Sequence, residues 1–407
     1  MIDIAILGFG VVGGGVAEVI TMNQDKINAH LGEELRVKKI LDLREFPDSP
    51  YKHLVTHDDK EVFDDPDIKV VVETIGGARI AYEFTKRALS LGKSVVTSNK
   101  ELVATHGVEL MQIAKENNCL YLYEAAVGGG IPIIRPLHRC LAANKVVRIA
   151  GIVNGTTNYI LTNMRTAGVS YDEALAQAQA NGYAEQNPAA DVDGIDAQRK
   201  LSILSSIAMG GLYVSPEEIT TTGISAITLD DINFATKINC GIKLLAVFLH
   251  DEGYDKPAVY VAPHYVSKKS MLAPVEDVFN GIIVEGNALG EAMFYGRGAG
   301  KLPTASAVVG DILEAALPPE KNSTTKNWFA GPEGVRVTAE PGDIVVSIVV
   351  KAASGKVDAL KSAFANYEIE VVCDDSEATA IIVKNIAQKD IEAACASVDG
   401  KWLHYMA

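Results

Sequence analysis

Ile2-Asp3-Ile4-Ala5-Ile6-Leu7-Gly8-Phe9-Gly10-Val11-Val12-Gly13 opens the chain as a short apolar run with β-branched members, closed by glycines in the spacing G-x-G-x-x-G. Val16, Val19 and Ile20 then fall on one helical face. Strand, tight turn and helix in that order let the backbone approach a pyrophosphate at a helix N-terminus, where free N–H groups and the helix dipole favour an anion. The alternation continues. Arg36 to Leu43 reads as a second strand, Lys69 to Thr74 as a third ending in Ile75-Gly76-Gly77, and Ser94 to Thr97 as a fourth after a helix closed by Gly92. Strands alternating with helices imply an α/β fold with a doubly wound parallel sheet of the Rossmann type. Ligands lie at the carboxyl ends of such strands, so Thr74, Gly76, Asn99 and Lys100 are expected near a nucleotide cofactor, beside Gly8, Phe9, Gly10, Val11, Val12 and Gly13. The competing readings are glycine turns without a ligand and a solvent lysine at a strand end.

Composition narrows the partners. The chain has 407 residues, enough for two or three domains, and 48% of them are hydrophobic, as in a globular protein with a sizeable core. The net charge is −15, and the lysines and arginines are scattered, which argues against nucleic acid. The five cysteines, Cys119, Cys140, Cys240, Cys373 and Cys395, are far apart and form no C-x-x-C, so neither a disulfide framework nor a zinc site is expected. No apolar run reaches the roughly 18 residues that span a bilayer, and no basic leader precedes the first strand. A cytoplasmic protein with no membrane partner is the expectation.

Past Pro136 the pattern changes. A second unit runs through Gly151 to Leu161, helical stretches around 172–182 and 194–210, and mixed strands to about residue 295. Gly296-Arg-Gly298-Ala-Gly300-Lys-Leu-Pro303 then opens one more helix, with a glycine-rich start suited to lie against the nucleotide. The expected division is a nucleotide domain over 1–135 and 296–316, a substrate domain over 136–295, a Pro/Asn/Thr/Gly-rich linker over 317–342, and a small domain over 343–407. That last domain reads strand, helix, strand, strand, helix, with a final strand around Trp402 to Tyr405.

The segment Gly182-Tyr-Ala-Glu185-Gln-Asn-Pro188-Ala-Ala-Asp191-Val-Asp193-Gly-Ile-Asp196-Ala-Gln-Arg-Lys200 gathers ionisable groups at the mouth of a helix. Asp196 and Lys200 stand one turn apart on one face. A lysine beside a carboxylate can move a proton to or from a hydroxyl, and the acids earlier in the loop can hold a substrate amine. The bland alternative is Asp193 as N-cap, with Asp196 and Lys200 as an ordinary acid-before-base surface pair.

Together these motifs resemble a family. Gly8-Phe-Gly10-Val-Val-Gly13, Val95-Val-Thr-Ser-Asn99-Lys100, Tyr123-Glu124-Ala-Ala-Val127-Gly-Gly-Gly130-Ile131-Pro132, Gly151-Ile-Val-Asn154-Gly155-Thr-Thr-Asn158-Tyr159-Ile160-Leu161 and the Glu185-to-Lys200 segment resemble homoserine dehydrogenase, over residues 1 to about 316. The resemblance implies reversible hydride transfer between NAD or NADP and L-aspartate 4-semialdehyde, giving L-homoserine, on the way to threonine and methionine. It implies Lys200 as general acid and base, Asp196 as its orienting partner, Lys100 at the cofactor edge and as a further catalytic group that helps polarise the carbonyl, Glu185 and Asp191 as substrate-binding carboxylates, and Gly182 and Gly300 facing the nucleotide. It also implies a Na⁺ site made by the Glu124 carboxylate and the carbonyls of Val127, Gly129 and Ile131, against the alternative of a turn that needs glycine for its backbone angles. A homo-oligomer, dimer or tetramer, joined through the substrate domain is expected.

Cofactor choice stays open. The second strand ends in Asp42-Leu-Arg44, an acid suited to a ribose 2′-hydroxyl beside an arginine suited to a 2′-phosphate, with a slight lean to NADP. The C-terminal domain resembles an ACT module in its element order, but Ala352-Ala-Ser-Gly355-Lys stands where that module has Pro-Gly, so an amino-acid effector such as L-threonine and mere dimer packing compete. Two other function classes are weighed: another NAD(P)-dependent oxidoreductase using a His–Asp pair, and a non-catalytic NAD(P)-binding sensor that would have lost Asp196 and Lys200.

Overall fold

The computed structural model describes residues 1–250, 253, 255–317 and 330–406. These form two compact units. The first comprises Met1–Lys145, Ser202–Pro216 and Phe294–Val335, the second Val146–Leu201, Glu217–Met293 and Arg336–Ala407. Residues 318–329 of the expected linker lie outside the described residues. Among the described residues no helix is long and apolar enough to cross a membrane.

The first unit is built on six parallel strands: β1 (Ile2–Leu7), β2 (Leu35–Leu41), β3 (Val55–Thr56), β4 (Ile68–Glu73), β5 (Ser94–Thr97) and β6 (Tyr121–Leu122). Their order, β3-β2-β1-β4-β5-β6, reverses direction at β1, which pairs with β2 on one side and β4 on the other. That reversal opens a crevice at the carboxyl ends of β1 and β4. Ile4, Ile6, Val70, Val72 and Val96 from the strands bury against Val16 and Ile20 of the helix Val11–Met22 and Val308 and Ile312 of the helix Lys301–Ala316. The two helices approach closely because Gly15 has no side chain: a Cβ there would sit 2.8 Å from the Lys301 carbonyl oxygen. Ser202–Pro216, assigned to the substrate domain by the sequence pattern, instead joins this unit. The Tyr213 hydroxyl donates to the Ala104 carbonyl at 2.6 Å, a side-chain contact that hydropathy does not record.

The second unit holds a mixed sheet of β7 (Val146–Ile152), β8 (Thr220–Thr221), β9 (Cys240–Leu249), β10 (Ala258–Ser267), β11 (Phe279–Gly286), β12 (Gly290–Arg297), β13 (Val345–Ala353), β14 (Glu368–Asp374), β15 (Ala378–Ala387) and β16 (Lys401–Met406). Its order is β12-β11-β7-β9-β10-β16-β13-β15-β14, with β8 beside β10. The C-terminal segment has the expected order of elements, with helices Val357–Ala363 and Gln388–Ala396 between its strands. It differs from the expectation of a separate domain. β16 pairs in parallel with β10, His264 opposite His404, and Ala150, Leu245 and Val247 share one core with Ile348, Val350 and Phe364. Pairing with β10 leaves β16 no free edge, which an isolated four-stranded module would expose.

Candidate active site

In the first unit the glycine-rich loop is held from below. Gly8 leaves β1 with φ +87°, and the Thr74 hydroxyl after β4 donates to the Gly8 carbonyl at 2.6 Å. Gly13 is demanded by the protein itself, since a Cβ there would lie 2.1 Å from the Gly8 carbonyl oxygen. Gly10 differs. It precedes the helix Val11–Met22, and a Cβ on it would meet nothing within 4 Å, so the space above the first free N–H groups is open. Asp42, just beyond β2, is buried, and its carboxylate accepts from the Phe9 N–H at 2.7 Å. Arg44 clamps the same carboxylate through Nε at 3.0 Å and Nη2 at 2.9 Å. This charge-assisted pairing holds the Asp42 carboxyl down at about 2. The Arg44 side chain is 62% exposed and lies over the Phe46 ring, 5.2 Å from its centroid. The two rivals for cofactor choice are thus bonded to each other.

The neighbouring loops are tied together. Asn99 caps the helix Lys100–Glu116 by accepting from the Leu102 N–H at 3.1 Å, while its amide donates to the Gly77 carbonyl at 2.8 Å. Lys100 is the first residue of that helix and half-buried, not a strand-end lysine in open solvent. Under Thr74 and Gly76 lies Glu73, fully buried, which accepts from the Ile75 N–H at 2.6 Å and from the Thr97 hydroxyl at 2.5 Å. Burial pushes its carboxyl up to about 7. Sequence reading missed Glu73, since a strand-end glutamate after an apolar run gives no sign of which way it points.

In the second unit β7 ends at Ile152, and Val153 and Asn154 form the loop beyond it. The Lys200 ammonium donates to the Val153 carbonyl at 2.6 Å and to Asp196 Oδ2 at 2.7 Å. Asp196 is 5% and Lys200 8% exposed, so the surface-pair reading fails. The N-cap reading fails too: the helix runs Ile195–Ala208, and Gln198 N–H bonds to the Gly194 carbonyl at 2.8 Å, which places Gly194 rather than Asp193 at its start. Asn154 joins the parts. Its amide nitrogen donates to Asp191 Oδ1 at 2.7 Å and Asp196 Oδ2 at 2.8 Å, while its oxygen accepts from the Thr157 N–H at 2.8 Å and caps the helix Gly155–Ala167. The cap was legible, as Asn before Gly-Thr-Thr and an apolar run, but the bridge was not. Asp191, Asp196 and Lys200 are therefore gathered in one cluster. Glu185 and Gly182 are exposed; the Glu185 backbone carbonyl accepts from Gln179 at 3.1 Å. A second buried lysine, Lys243, donates to Asn158 Oδ1 at 3.0 Å and is lowered to about 8 by burial.

The carboxylate of the expected cation site is engaged by the protein itself. Both Glu124 carboxylate oxygens are taken by the N–H groups of Ile133 and Ile134 (2.7 and 2.9 Å) and Arg135 (2.8 Å), and the Arg135 guanidinium stands beside them. The three N–H groups take three of the roughly four lone-pair sites of the carboxylate, and the guanidinium beside it already supplies a positive charge. Gly129 is explained without a metal, because a Cβ there would lie 2.4 Å from the Gly298 carbonyl oxygen. Val127 and Ile131 are buried beside it. Among the described residues no group of three or more His, Cys, Asp or Glu could hold a metal.

Comparison with known proteins finds matches along most of the chain. The family "Homoserine dehydrogenase" matches residues 132–313, and "Homoserine dehydrogenase, NAD binding domain" matches residues 8–124. The homoserine dehydrogenase of Bacillus subtilis (strain 168) is 40% identical over 347 residues, 84% of this chain and 79% of its own length. That of Pseudomonas aeruginosa is 41% identical over 315 residues, 77% of this chain and 72% of its own. Among solved structures, a homoserine dehydrogenase from Thiobacillus denitrificans is similar with a TM-score of 0.86 at 32% identity, covering 100% of this chain and 98% of that one. A hyperthermophilic archaeal homoserine dehydrogenase in complex with NADPH has a TM-score of 0.65 at 32% identity, covering 77% of this chain and 97% of that one.

Proposed function

Because the chain belongs to the homoserine dehydrogenase family, we propose that its buried Asp196–Lys200 pair is the proton-transfer centre of that enzyme's reaction. The chain is an oxidoreductase that reversibly reduces L-aspartate 4-semialdehyde to L-homoserine with a nicotinamide cofactor, a step in the biosynthesis of threonine and methionine. In the reducing direction Lys200 gives a proton to the carbonyl oxygen, and in the oxidising direction it takes one from the hydroxyl. Asp196 fixes the ammonium in place at 2.7 Å. Asp191, held by Asn154, and Glu185 offer carboxylates to the α-ammonium of the amino-acid substrate. The nicotinamide, when bound, supplies or takes the hydride. The residues present in the first unit fit that group: the open space over Gly10 and the free N–H groups of Val11, Val12 and Gly13 suit the pyrophosphate, with Thr74, Gly76, Lys100 and Gly300 of the same unit for the rest of the nucleotide.

NADP is favoured over NAD because Asp42 has spent its oxygens on Phe9 and Arg44, while the Arg44 guanidinium remains largely exposed. A neighbour solved with NADPH supports the same lean. We also assign the C-terminal segment as an ACT-like module that senses an amino acid such as L-threonine, the chain as a cytoplasmic homo-oligomer, and the five cysteines as reduced thiols. The observation that carries the reading is enclosure: a lysine and an aspartate bonded to each other and shielded from water at the mouth of a helix. Absorbance at 340 nm with L-homoserine and each of NAD and NADP tests it. Turnover with NADP the better cofactor is expected, and no turnover with either sinks the assignment.

A further inference from the structure

We infer that Glu73 is a positioning residue for the nicotinamide cofactor: it locks the turn after β4 to the start of the helix Lys100–Glu116 as one piece. Asp42 and Arg44 lie beyond β2 and the glycine-rich loop beyond β1, which suit the adenosine and pyrophosphate. The carboxyl ends of β4 and β5, on the other side of β1, are left for the reacting end. Glu73 closes β4 there, in register with Thr97 of β5. Its Oε1 accepts from the Ile75 N–H at 2.6 Å and its Oε2 from the Thr97 hydroxyl at 2.5 Å. Thr97 Oγ1 in turn accepts from the Asn99 N–H at 2.9 Å, and the Asn99 side-chain amide donates to the Ile75 carbonyl at 3.3 Å. The four residues thus form a closed hydrogen-bonded ring. Lys100 follows Asn99 directly, and Thr74, between Glu73 and Ile75, donates to the Gly8 carbonyl of the glycine-rich loop.

Stability alone does not account for an acid at this place. Glu73 is fully buried, and among the described residues no cation is paired with it, so its charge costs the fold free energy. What a carboxylate supplies is direction. It can only accept, so it takes the Thr97 proton and leaves the Thr97 lone pairs to the Asn99 N–H, which sets the turn that carries Lys100. A protonated Glu73 has one donor and reverses that link: it donates to Thr97, whose own proton then leaves the ring. Burial pushes the carboxyl up to about 7, so the two polarities exchange near neutral pH. On the neighbouring β6 the Tyr121 hydroxyl is buried and has no hydrogen-bond partner. Burial, and after it the Glu73 charge, hold it well above its ordinary value, so it keeps its proton throughout.

The link to turnover rests on the reaction proposed above, so binding and turnover are measured separately. Full-length wild type, Glu73→Gln, Thr97→Val and Thr97→Ser are compared by fluorescence titration of NADPH, by kcat with L-homoserine and NADP, and by thermal melts. Glu73→Gln and Thr97→Val are each expected to weaken NADPH about threefold to tenfold and to lower kcat about 10- to 100-fold. Thr97→Ser keeps the hydroxyl and is expected to stay within about twofold of the wild type in both. The double variant Glu73→Gln/Thr97→Val should be no slower than the slower single one, because both cut the same ring. At pH 8 Glu73→Gln is expected to melt no lower than the wild type, and loss of turnover in an equally stable protein is what a purely structural glutamate does not give. NADPH binding to the wild type should weaken as pH falls through about 7, and Glu73→Gln should flatten that dependence. If Glu73→Gln and Thr97→Val bind NADPH and turn over as the wild type does, or if Thr97→Ser is as impaired as Thr97→Val, the inference is overturned. A wild type that binds NADPH without oxidising homoserine would sink the proposed reaction instead, and the NADPH titrations alone would then decide on Glu73, undiminished affinity in both variants overturning its role.

Discussion

Asp42–Arg44 in the nucleotide unit and Asp196–Lys200 in the substrate unit are both short-range acid–base pairs, and they differ in how far they are enclosed. Asp42 is buried, but its arginine is 62% exposed, and the pair pins the glycine-rich loop through the Phe9 N–H. Arg44 keeps its proton at any working pH. Asp196 and Lys200 have side chains only 7% and 11% exposed, and a lysine can give its proton up. The same two charges stand at similar distances, 2.9 and 2.7 Å, and under the proposed function the first pair is a fastener and the second a proton carrier. Enclosure and the identity of the base decide which.

The sharpest test removes the proton. Lys200→Met keeps the bulk but not the ammonium, so kcat should fall by about 10² to 10⁴ with cofactor affinity little changed. Steady-state kinetics in both directions, with a fluorescence titration of NADPH, measure it; near-normal turnover would make this pair a fastener too.

Glu73 shows what happens to a buried acid given no cation. Its carboxyl is raised to about 7 by burial, whereas Arg44 holds Asp42 at about 2. A raised folded pKa stabilises the fold below the unfolded value, near 4.5, and that contribution is lost as pH climbs toward 7. Glu73→Gln should match the wild type near pH 4.5 and exceed it by up to about 3 kcal/mol at pH 8. Chemical denaturation at several pH values reads this; a constant difference across the range would mean that Glu73 is ionised in both states.

Asn154 binds Asp196, and with it the proposed proton-transfer pair, to Asp191, so its removal should loosen geometry rather than chemistry. Asn154→Ala is expected to lower kcat about 10- to 100-fold and to cost about 1 kcal/mol through the lost helix cap. Asn154→Ser separates the effects, because a serine still caps the helix but cannot bridge two carboxylates. Stability restored without activity is the expected result, and recovery of both would reduce Asn154 to a cap.

What could be read in the sequence follows from the range of the interactions involved. The glycine loop and the one-turn spacing of Asp196 and Lys200 are local, and period and turn chemistry report local facts. The bridge from Asn154 spans 37 residues to Asp191 and 42 to Asp196, and the β10–β16 pairing joins segments that no periodicity connects. The protein partners of Glu124 were hidden for the same reason. Its partners are the N–H groups of a short helix nine to eleven residues on, and backbone donors leave no trace in residue type. A hydrophobic pattern says that a residue is buried and not what it meets there.

The smallest expected effect tests the fastener itself. If Arg44 only holds Asp42, its replacement frees the Asp42 carboxylate, which can then accept from a ribose 2′-hydroxyl and favour NAD. If Arg44 also reaches a 2′-phosphate, its loss removes a charge-assisted contact and weakens NADP. Both routes shift preference in the same direction, so Arg44→Ala should raise KM for NADP about tenfold with kcat nearly constant and KM for NAD unchanged or lower. Asp42→Asn separates them. It leaves Arg44 without its clamp and the Phe9 N–H with a weaker acceptor. A phosphate-binding arginine would then still favour NADP, with both cofactors weakened through the loosened loop. Equal losses for NAD and NADP in Arg44→Ala would show that the pair serves the loop alone, and that cofactor choice is made elsewhere in the nucleotide unit.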